Sequence, residues 1–254
     1  MSGAIVASGL CKAFTSRSGV LVEALGGVSL RAEPGNITCV LGPTGSGKST
    51  LLRIMAGLEE PDSGSVLVGG KSPEVITGDI GYLTQQHTLL PWLRVLENIA
   101  LPMRLRGADA KERESKAREI ASSLGLGDYL DLYPYELSGG MQRRAALGRL
   151  LAQEAGYWLL DEPFSNLDER TSHSLQGLLL GLVREHGLSV VFVTHSVDEA
   201  AWLGDRIAVL SAAPGVLAES FEPALIRPRR RLSEDYGDIM ERIRRSFESI
   251  LGEE

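Results

Sequence analysis

The chain has 254 residues, 43% of them hydrophobic, and its 26 Lys and Arg against 33 Asp and Glu give a formal net charge of −7. This apolar content excludes disorder for most of the chain, and the negative charge argues against wrapping nucleic acid, which requires a basic face. With Cys11 and Cys39 as the only cysteines, no disulfide framework is visible and a reducing compartment is favoured.

The first 35 residues alternate apolar and polar side chains, with turn residues at Ser18 and Gly19 and at Pro34 and Gly35. This pattern predicts short antiparallel strands. The opening lacks the basic and apolar regions of a signal peptide, and no run approaches the roughly 18 apolar residues of a membrane span. The sequence therefore predicts a soluble protein that can still dock on a membrane partner.

A phosphate-binding motif follows, matching G-x-x-x-x-G-K-[ST] at every fixed position. It reads Gly42-Pro43-Thr44-Gly45-Ser46-Gly47-Lys48-Ser49-Thr50. An apolar run at 37–41 predicts a strand before the motif, and 51–56 predicts a helix after it, which disfavours a chance glycine-rich turn. The glycines let backbone N–H groups converge on one anion above the positive end of that helix. We expect Lys48 to contact the β- and γ-phosphates of a nucleoside triphosphate, and Ser49 to bind Mg²⁺.

Further apolar runs predict a doubly wound parallel sheet in the rest of the chain. The strand-like runs lie at 80–83, 157–160, 189–193 and 206–210, with helical patterns between the later ones. Helices predicted at 95–106, 110–124 and 128–133 form an insertion in this sheet. After residue 215 we expect a short strand, an arginine-rich linker at 227–231 and a helix at 233–251. The linker is interpreted as solvated, with contact to a phospholipid or a partner as the alternative.

Two carboxylates end the predicted strand at 157–160. Asp161 lies at the carboxyl end of a parallel strand, beside the phosphate loop, and is predicted to hold Mg²⁺ through water. Glu162 lies one residue further toward the γ-phosphate, where a carboxylate can orient and deprotonate the attacking water. An Asp-Glu pair alone would be interpreted as a solvated acidic turn, so the assignment depends on the phosphate loop.

A second anion-binding helix start is predicted at Ser138, Gly139 and Gly140. Together they present a hydroxyl and open backbone N–H groups at the beginning of a helix that runs to about residue 152. Taken alone, this segment would be only a helix cap. Beside a triphosphate loop, it predicts that two copies of the chain hold nucleotide between them.

Over nearly its whole length the chain resembles the ATPase subunits of ATP-binding cassette (ABC) transporters. The matching elements, in the family's order, are Phe14, Gly42 to Thr50, Gln85, Leu137 to Gly140, Asp161 with Glu162, Ser165 to Asp168, and His195. The resemblance implies an α/β P-loop NTPase (RecA-like) core, an N-terminal antiparallel β subdomain and an inserted α-helical subdomain. It implies a single ATPase domain at 1–225, with the helical subdomain at about 86–140, and a basic linker and helix at 226–254.

The resemblance also implies roles within one subunit. Phe14 would stack on adenine, with core packing as the alternative. Gln85 would contact Mg²⁺ and the attacking water, and would relay the state of the site to a membrane partner. His195 would hydrogen-bond the γ-phosphate and orient Glu162, although a lone histidine is more often structural. The expected catalytic set is therefore Lys48, Gln85, Glu162 and His195.

Other roles implied by the resemblance need a second copy of the chain. The signature residues at 138–140 would reach the γ-phosphate bound by the opposite subunit, and Asp168 would lie at that dimer interface. Asn166 stands where alanine is usual and Ser196 where aspartate is usual. Residues 83–84 and 141–144 also depart from the usual pattern. These departures put the turnover rate and the fine coupling in doubt, and leave the reaction itself unaffected.

Two segments narrow the resemblance to importers of the nitrate, sulfonate and taurine type, namely 86–102 and 210–215 with 227–229. This implies ATP-driven import of a small organic or inorganic anion at the cytoplasmic face of the cell membrane. The expected assembly is a homodimer, two permease subunits and an extracytoplasmic binding protein, without nucleic acid. Apolar residues at 89–92 are expected to be exposed and to contact the permease, with Trp92 covering its own subdomain as the alternative.

Other classes fit the sequence less well. An ABC exporter ATPase shares the hydrolysis chemistry and stays open as an alternative. A soluble ABC ATPase acting on DNA or ribosomes would carry a long coiled-coil insertion or a duplicated domain, and this sequence contains neither. A small-molecule kinase or a GTPase would share the phosphate loop but would leave the signature helix and His195 without a role.

Overall fold

The computed structural model describes residues 3–16, 19–85 and 89–252, so the expectations for Ser18 and for residues 86–88 lie outside the described residues. The strands are β1 Ile5–Thr15, β2 Leu21–Ala32, β3 Ile37–Leu41, β4 Ser63–Val68, β5 Ile80–Leu83, β6 Tyr157–Asp161, β7 Ser189–Thr194, β8 Arg206–Leu210 and β9 Leu217–Phe221. The α-helices are α1 Lys48–Met55, α2 Val95–Leu105, α3 Ala110–Ser123, α4 Gly139–Gln153, α5 Glu169–His186, α6 Val197–Leu203 and α7 Glu234–Leu251. Short 3₁₀ helices lie at Pro73–Val75, Thr77–Asp79, Gly127–Tyr129 and Pro134–Glu136.

A six-stranded sheet carries the centre of the molecule, in the order β5-β6-β7-β3-β8-β9. All neighbours pair in parallel except β8 and β9, which are antiparallel. Strands β3, β6 and β7 are buried at every residue, because helices cover both faces of a parallel sheet. The predicted strands of this sheet are confirmed to within one residue. Their carboxyl ends lie side by side, which brings the loops after β3, β5, β6 and β7 to one edge.

The N-terminal strands form a second, antiparallel sheet in the order β2-β1-β4, which confirms the predicted antiparallel start. Strand β4 was missing from the prediction, since only Val66 and Val68 of its six residues are buried. Helix α1 packs between the two sheets, with Leu51 and Leu52 in one core with β1 and β6. This packing fixes the start of α1, and therefore the phosphate loop, against both sheets.

Helices α2 and α3 match the helices predicted at 95–106 and 110–124, and they pack with α4 around a core that includes Ile99, Ala121 and Leu147. The predicted helix at 128–133 is wrong. Pro134 disfavours a helical residue before it, and Tyr133 is extended with ψ 158°. The carbonyls at 130 and 132 instead accept the first amides of α2, at 96 and 95. The subdomain limits at about 86–140 stay a prediction.

The C-terminal segment packs onto the main core. Tyr236, Ile239 and Ile243 of α7 are buried in the same core as the six-stranded sheet. The interpretation of 227–231 as a solvated linker is wrong for Arg229, which is only 7% exposed and donates to three backbone carbonyls near the end of α6. Of the next two residues, Arg230 is exposed and Arg231 is half-buried. The proposed boundary between the ATPase domain and the C-terminal segment, at residues 225 and 226, stays a prediction.

Among the described residues, no helix combines the length and the apolar character needed to cross a bilayer.

Candidate nucleotide-binding and hydrolysis site

The loop between β3 and α1 needs glycine for two physical reasons. Gly45 and Gly47 have φ 86° and 80°, a left-handed conformation that side chains disfavour. At Gly47, a Cβ would also lie 2.3 Å from the carbonyl oxygen of Ala24 on β2. A Cβ at Gly42 would lie 2.6 Å from the Ser46 hydroxyl. The motif is therefore held against the N-terminal sheet as well as shaped for an anion.

Lys48 places a buried positive charge inside this loop. The residue is 5% exposed, and its Nζ donates to the carbonyls of Gly42 at 2.8 Å and Pro43 at 2.6 Å. It also donates to the Ser46 hydroxyl at 3.3 Å. Burial lowers the pKa of Lys48, an effect that the charges of Glu162 and Asp161 oppose. All three hydrogen-bond partners are neutral, so the ammonium fits a phosphate placed in the loop.

Ser49 and Asp161 bring a hydroxyl and a carboxylate together at the start of α1. Asp161 ends β6 and is buried, and the burial raises its pKa, while a hydrogen bond with the Ser49 side chain works against that rise. Within the described residues, no group of three or more His, Cys, Asp or Glu side chains is placed to hold a metal. One hydroxyl and one carboxylate suit Mg²⁺, which keeps several waters and takes phosphate oxygens.

Glu162 is contacted by side chains from two neighbouring loops. Its Oε2 accepts a hydrogen bond from Gln85 Nε2 at 3.0 Å and lies 3.2 Å from His195 Nδ1. Gln85 follows β5 and His195 follows β7, so the parallel sheet brings these residues together. The side chain of Glu162 is largely buried at 15% exposure, whereas that of His195 is open to solvent.

The backbone of Glu162 is held in an unusual conformation. Its φ of 44° is positive, which is uncommon for a residue with a side chain. Its N–H donates to the carbonyl of Val193 on β7 at 3.0 Å, and its own carbonyl accepts from the Ser165 hydroxyl at 2.9 Å. Such strain persists only where the surroundings fix it, and it occurs preferentially at functional sites.

Phe14 lies at the end of β1, away from either core. Its ring is 38% exposed and lies 5.4 Å from the Lys12 ammonium, measured to the ring centroid. The ammonium is itself paired with Glu59 at 2.9 Å and Asp62 at 3.3 Å. This exposure removes the core-packing alternative, and adenine stacking stays a prediction.

The signature residues begin α4, whereas the phosphate loop leads into α1. Ser138 caps the helix by accepting the amide of Met141 at 3.3 Å. A Cβ at Gly140 would lie 2.5 Å from Thr171 Cγ2 on α5, so packing requires glycine there. Gly139 lines a groove of about 510 Å³. The other lining residues are Gln85, Leu89, Pro91, Pro134, Tyr135, Gln142, Arg143, Ser165, Asn166 and Leu167. No residue of the phosphate loop lines this groove.

Two of the departures from the family pattern, Asn166 and Ser196, have local structural explanations. Asn166 has φ 62°, a left-handed conformation in which Asn is enriched. Ser196 caps α6 by accepting the amide of Glu199 at 3.3 Å. Asp168, close by, caps α5 by accepting the amide of Thr171 at 3.0 Å, and its hydrogen bonds with Thr171 lower the pKa of its carboxyl group.

Sequence reasoning missed two residues that support the site. Arg143 on α4 donates to the carbonyl of Gln85 at 2.7 Å, which ties the loop after β5 to the helical insertion. Glu199 on α6 accepts from Thr194, the residue before His195, at 2.5 Å. The departure noted at 141–144 was the available signal for Arg143. Glu199 carries no recognisable motif.

The apolar segment at 89–92 is only partly exposed. Trp92 is 67% exposed, so it does not cover its own subdomain. The expectation that Leu89 is exposed is wrong, since it is 7% exposed and belongs to the core.

Asn98 holds this segment in place through four side-chain hydrogen bonds. It accepts the amide of Leu90 at 2.8 Å and donates to the carbonyls of Leu90, Leu93 and Arg94 at 3.1, 2.9 and 3.2 Å.

Together the sheet order and the loop after β3 define a P-loop nucleoside triphosphatase. A model of the ABC transporter family matches residues 25–165. The chain is 42% identical over 210 residues to the aliphatic sulfonates import ATP-binding protein of Xanthomonas axonopodis pv. citri, covering 82% of this chain and 83% of that protein. It is 41% identical over 204 residues to the taurine import ATP-binding protein of Chromobacterium violaceum, covering 80% and 78%.

A solved structure is similar at the level of the whole cassette. It is a dimeric ATP-binding cassette in a post-hydrolysis state bound to ADP and Pi, with a TM-score of 0.75 and 32% identity. The match covers 86% of this chain and 98% of that chain. The chain therefore belongs to the ABC transporter family, and it is an ATP-binding subunit that hydrolyses ATP.

Proposed function

We propose that two copies of this chain form a homodimer that hydrolyses ATP with Mg²⁺ in two composite sites and energises import of a small organic anion of the sulfonate or taurine kind. The observation that carries the hydrolytic part is the carboxylate of Glu162, contacted by Gln85 at 3.0 Å and His195 at 3.2 Å at the sheet edge that also holds Lys48. Four loops converge there because the sheet is parallel.

In the nucleotide site, the loop at 42–50 holds the phosphates. Lys48 exchanges its carbonyl partners for the β- and γ-phosphates, since charged acceptors bind an ammonium more strongly than neutral ones. Ser49 and Asp161 would hold Mg²⁺, with Gln85 contributing a side-chain oxygen. A bound Mg²⁺ would supply positive charge that offsets the negative charge of the transferred phosphoryl group. Phe14 offers an exposed ring on which adenine stacks.

Glu162 acts on the attacking water. Its Oε2 faces the site, already positioned by Gln85 and His195, and it accepts the proton as the water attacks the γ-phosphate. Its backbone is fixed by bonds to β7 and to Ser165, so the carboxylate starts in place. The exposed imidazole of His195 can turn toward the γ-phosphate while its Nδ1 stays near Glu162.

The second half of each site comes from the partner copy. Ser138, Gly139 and Gly140 begin α4, and the first amides of a helix suit a phosphate. Because no residue of the phosphate loop lines the groove that Gly139 borders, we assign this helix start to the nucleotide of the opposite subunit, with Asp168 at the interface. ATP then adds contacts to both faces and closes the dimer, and hydrolysis removes them. The dimeric form of the similar cassette supports this assignment.

Import is proposed from the names and coverage of the relatives. The subunit would lie peripherally at the cytoplasmic face of the membrane, bound to a permease pair that receives solute from an extracytoplasmic binding protein. The exposed indole of Trp92, beside Pro91 on the helical insertion, supports a permease contact there. An exporter ATPase and a soluble ABC ATPase remain the rival functions.

Affinity purification from native membranes tests this assembly. The tagged chain is expected to bring down permease subunits. In proteoliposomes, that complex is expected to hydrolyse ATP faster when the matching binding protein carries taurine or an alkyl sulfonate. A Trp92→Ala variant should lose the permease while the isolated chain keeps its ATPase activity. Solute-independent ATPase activity in the complex would favour the exporter, and recovery of the chain with nucleic acid alone would favour a soluble ABC ATPase.

A further inference from the structure

Two arginines of the C-terminal segment, Arg227 and Arg229, form hydrogen bonds with the backbone at the end of α6, the short helix that follows His195. Arg229 donates to the carbonyls of Ala201 at 2.6 Å, Trp202 at 2.9 Å and Gly204 at 2.7 Å. Arg227 donates to the carbonyl at 203. The last carbonyls of a helix have no partner within it and must find one elsewhere. Here the four carbonyls at 201–204 accept hydrogen bonds from two guanidinium groups. The positive charge of these groups is also favourable at the C-terminal end of a helix.

Arg231 holds the other end of the same helix. Its guanidinium bonds the carboxylate of Asp198, in the first turn of α6, and the side-chain oxygen of Gln176 at 3.1 Å. It also lies 4.4 Å above the ring of Trp202. Gln176 is a buried residue of α5. Arg231 therefore joins α6 to α5 through an ion pair, a hydrogen bond and a stacking contact.

Hydrogen bonds connect α6 to the backbone around His195. The Thr194 hydroxyl donates to Glu199 Oε2 at 2.5 Å and accepts from the amide of Ser196 at 2.9 Å. The Ser196 hydroxyl in turn accepts from the amide of Glu199 at 3.3 Å. The residues on both sides of His195 are thus fixed to α6, and a shift of that helix moves the imidazole.

We propose that Arg231, supported by Arg229, is a positioning residue for hydrolysis, which holds α6 against α5 so that the imidazole of His195 stays at Glu162. A groove of about 420 Å³ is lined by Glu162 and His195 as well as by Gln176 and Arg231, so the two ends of this connection share one surface. The inference rests on the proposed function, since it takes His195 to act in hydrolysis.

Substitution at 231, with its neighbour as the control, tests the connection. Arg231→Met keeps most of the side-chain length but removes the charge and the fork. We expect kcat for ATP to fall about tenfold with the Kd for ATP unchanged, a size typical of coupling through packed elements. Arg231→Lys should restore only part of the loss, because a point charge cannot bond both partners and stack as Arg does. Arg230→Met, at an exposed position, should stay within about twofold of wild type.

Two further readouts separate positioning from a general loss of structure. In a double-mutant cycle, Arg231→Met should cost nothing more once His195→Ala is present. The imidazole ¹H–¹⁵N signals of His195, assigned by their loss in His195→Ala, should shift in Arg231→Met and stay in place in Arg230→Met. The same tenfold loss in the His195→Ala background, or an unshifted imidazole signal, would overturn the role of Arg231. Wild-type turnover in His195→Ala would instead overturn the proposed role of His195 itself.

Discussion

Replacement of Asn98 by Ala should loosen the segment that presents Trp92. Asn98 is fully buried, and its side chain makes four hydrogen bonds of 2.8 to 3.2 Å with the backbone at 90, 93 and 94. Each bond contributes on the order of 0.5–1.5 kcal/mol, and the buried amide and carbonyls left without a partner add a desolvation penalty. We expect a loss of about 3 kcal/mol in the free energy of unfolding, and a Tm about 6–12 °C lower.

Urea unfolding and amide hydrogen exchange measure this effect. The amide of Leu90, bonded to Asn98 Oδ1, should lose its protection, while nucleotide binding by the remaining folded protein stays unchanged. Asn98→Asp is the matched comparison, because it keeps the shape but places a second acceptor against three carbonyls. It should cost at least as much as Ala. An Asn98→Ala protein within about 0.5 kcal/mol of wild type, with Leu90 still protected, would show that the Asn98 hydrogen bonds do not hold this segment.

Substitutions at Gly140 and Asp161 test the packing of α4 and the burial of the carboxylate that ends β6. Gly140→Ala places a methyl group 2.5 Å from Thr171 Cγ2 and should lower the free energy of unfolding, measured with urea, by about 1–2 kcal/mol. Thr171→Ser removes that Cγ2 and, in the same chain, should restore the lost stability. Additive effects of the two changes would contradict the clash. Burial raises the pKa of Asp161, so the ionised carboxylate lowers the free energy of unfolding. Asp161→Asn should therefore raise the free energy of unfolding of the nucleotide-free chain relative to wild type, progressively as pH rises above about 4. Parallel stability curves for the two proteins from pH 3 to 7 would contradict this sign.

The elements that the sequence predicted well are those whose signal is local. The phosphate loop is one continuous motif, and buried strands such as β3 are continuous apolar runs, so both could be placed to within a residue. The family resemblance led us to expect His195 beside Glu162, whereas Gln85 was expected at Mg²⁺ and the attacking water; the structure brings both side chains to Glu162. Their distances from Glu162 depend on the parallel order of β5, β6 and β7, which no single segment encodes.

The elements that were missed depend on distant backbone atoms. The partners of Arg229 are carbonyls more than twenty residues away, and a carbonyl acceptor has no side-chain signature in a sequence. The cluster at 227–231 therefore looked like a solvated run of charge. The wrong helix at 128–133 has the same origin, since its carbonyls at 130 and 132 pair with the start of α2.

The composite site is tested by ATP hydrolysis and dimerisation of the Glu162→Gln chain. The control is Glu169→Gln, which changes an exposed carboxylate on the same groove, and we expect both variants to bind ATP about as well as wild type. Turnover should fall about a thousandfold in Glu162→Gln alone, and size-exclusion chromatography with ATP and Mg²⁺ should show that variant as a stable dimer. Turnover near wild type in Glu162→Gln, or a chain that stays monomeric with ATP bound, would contradict the composite site.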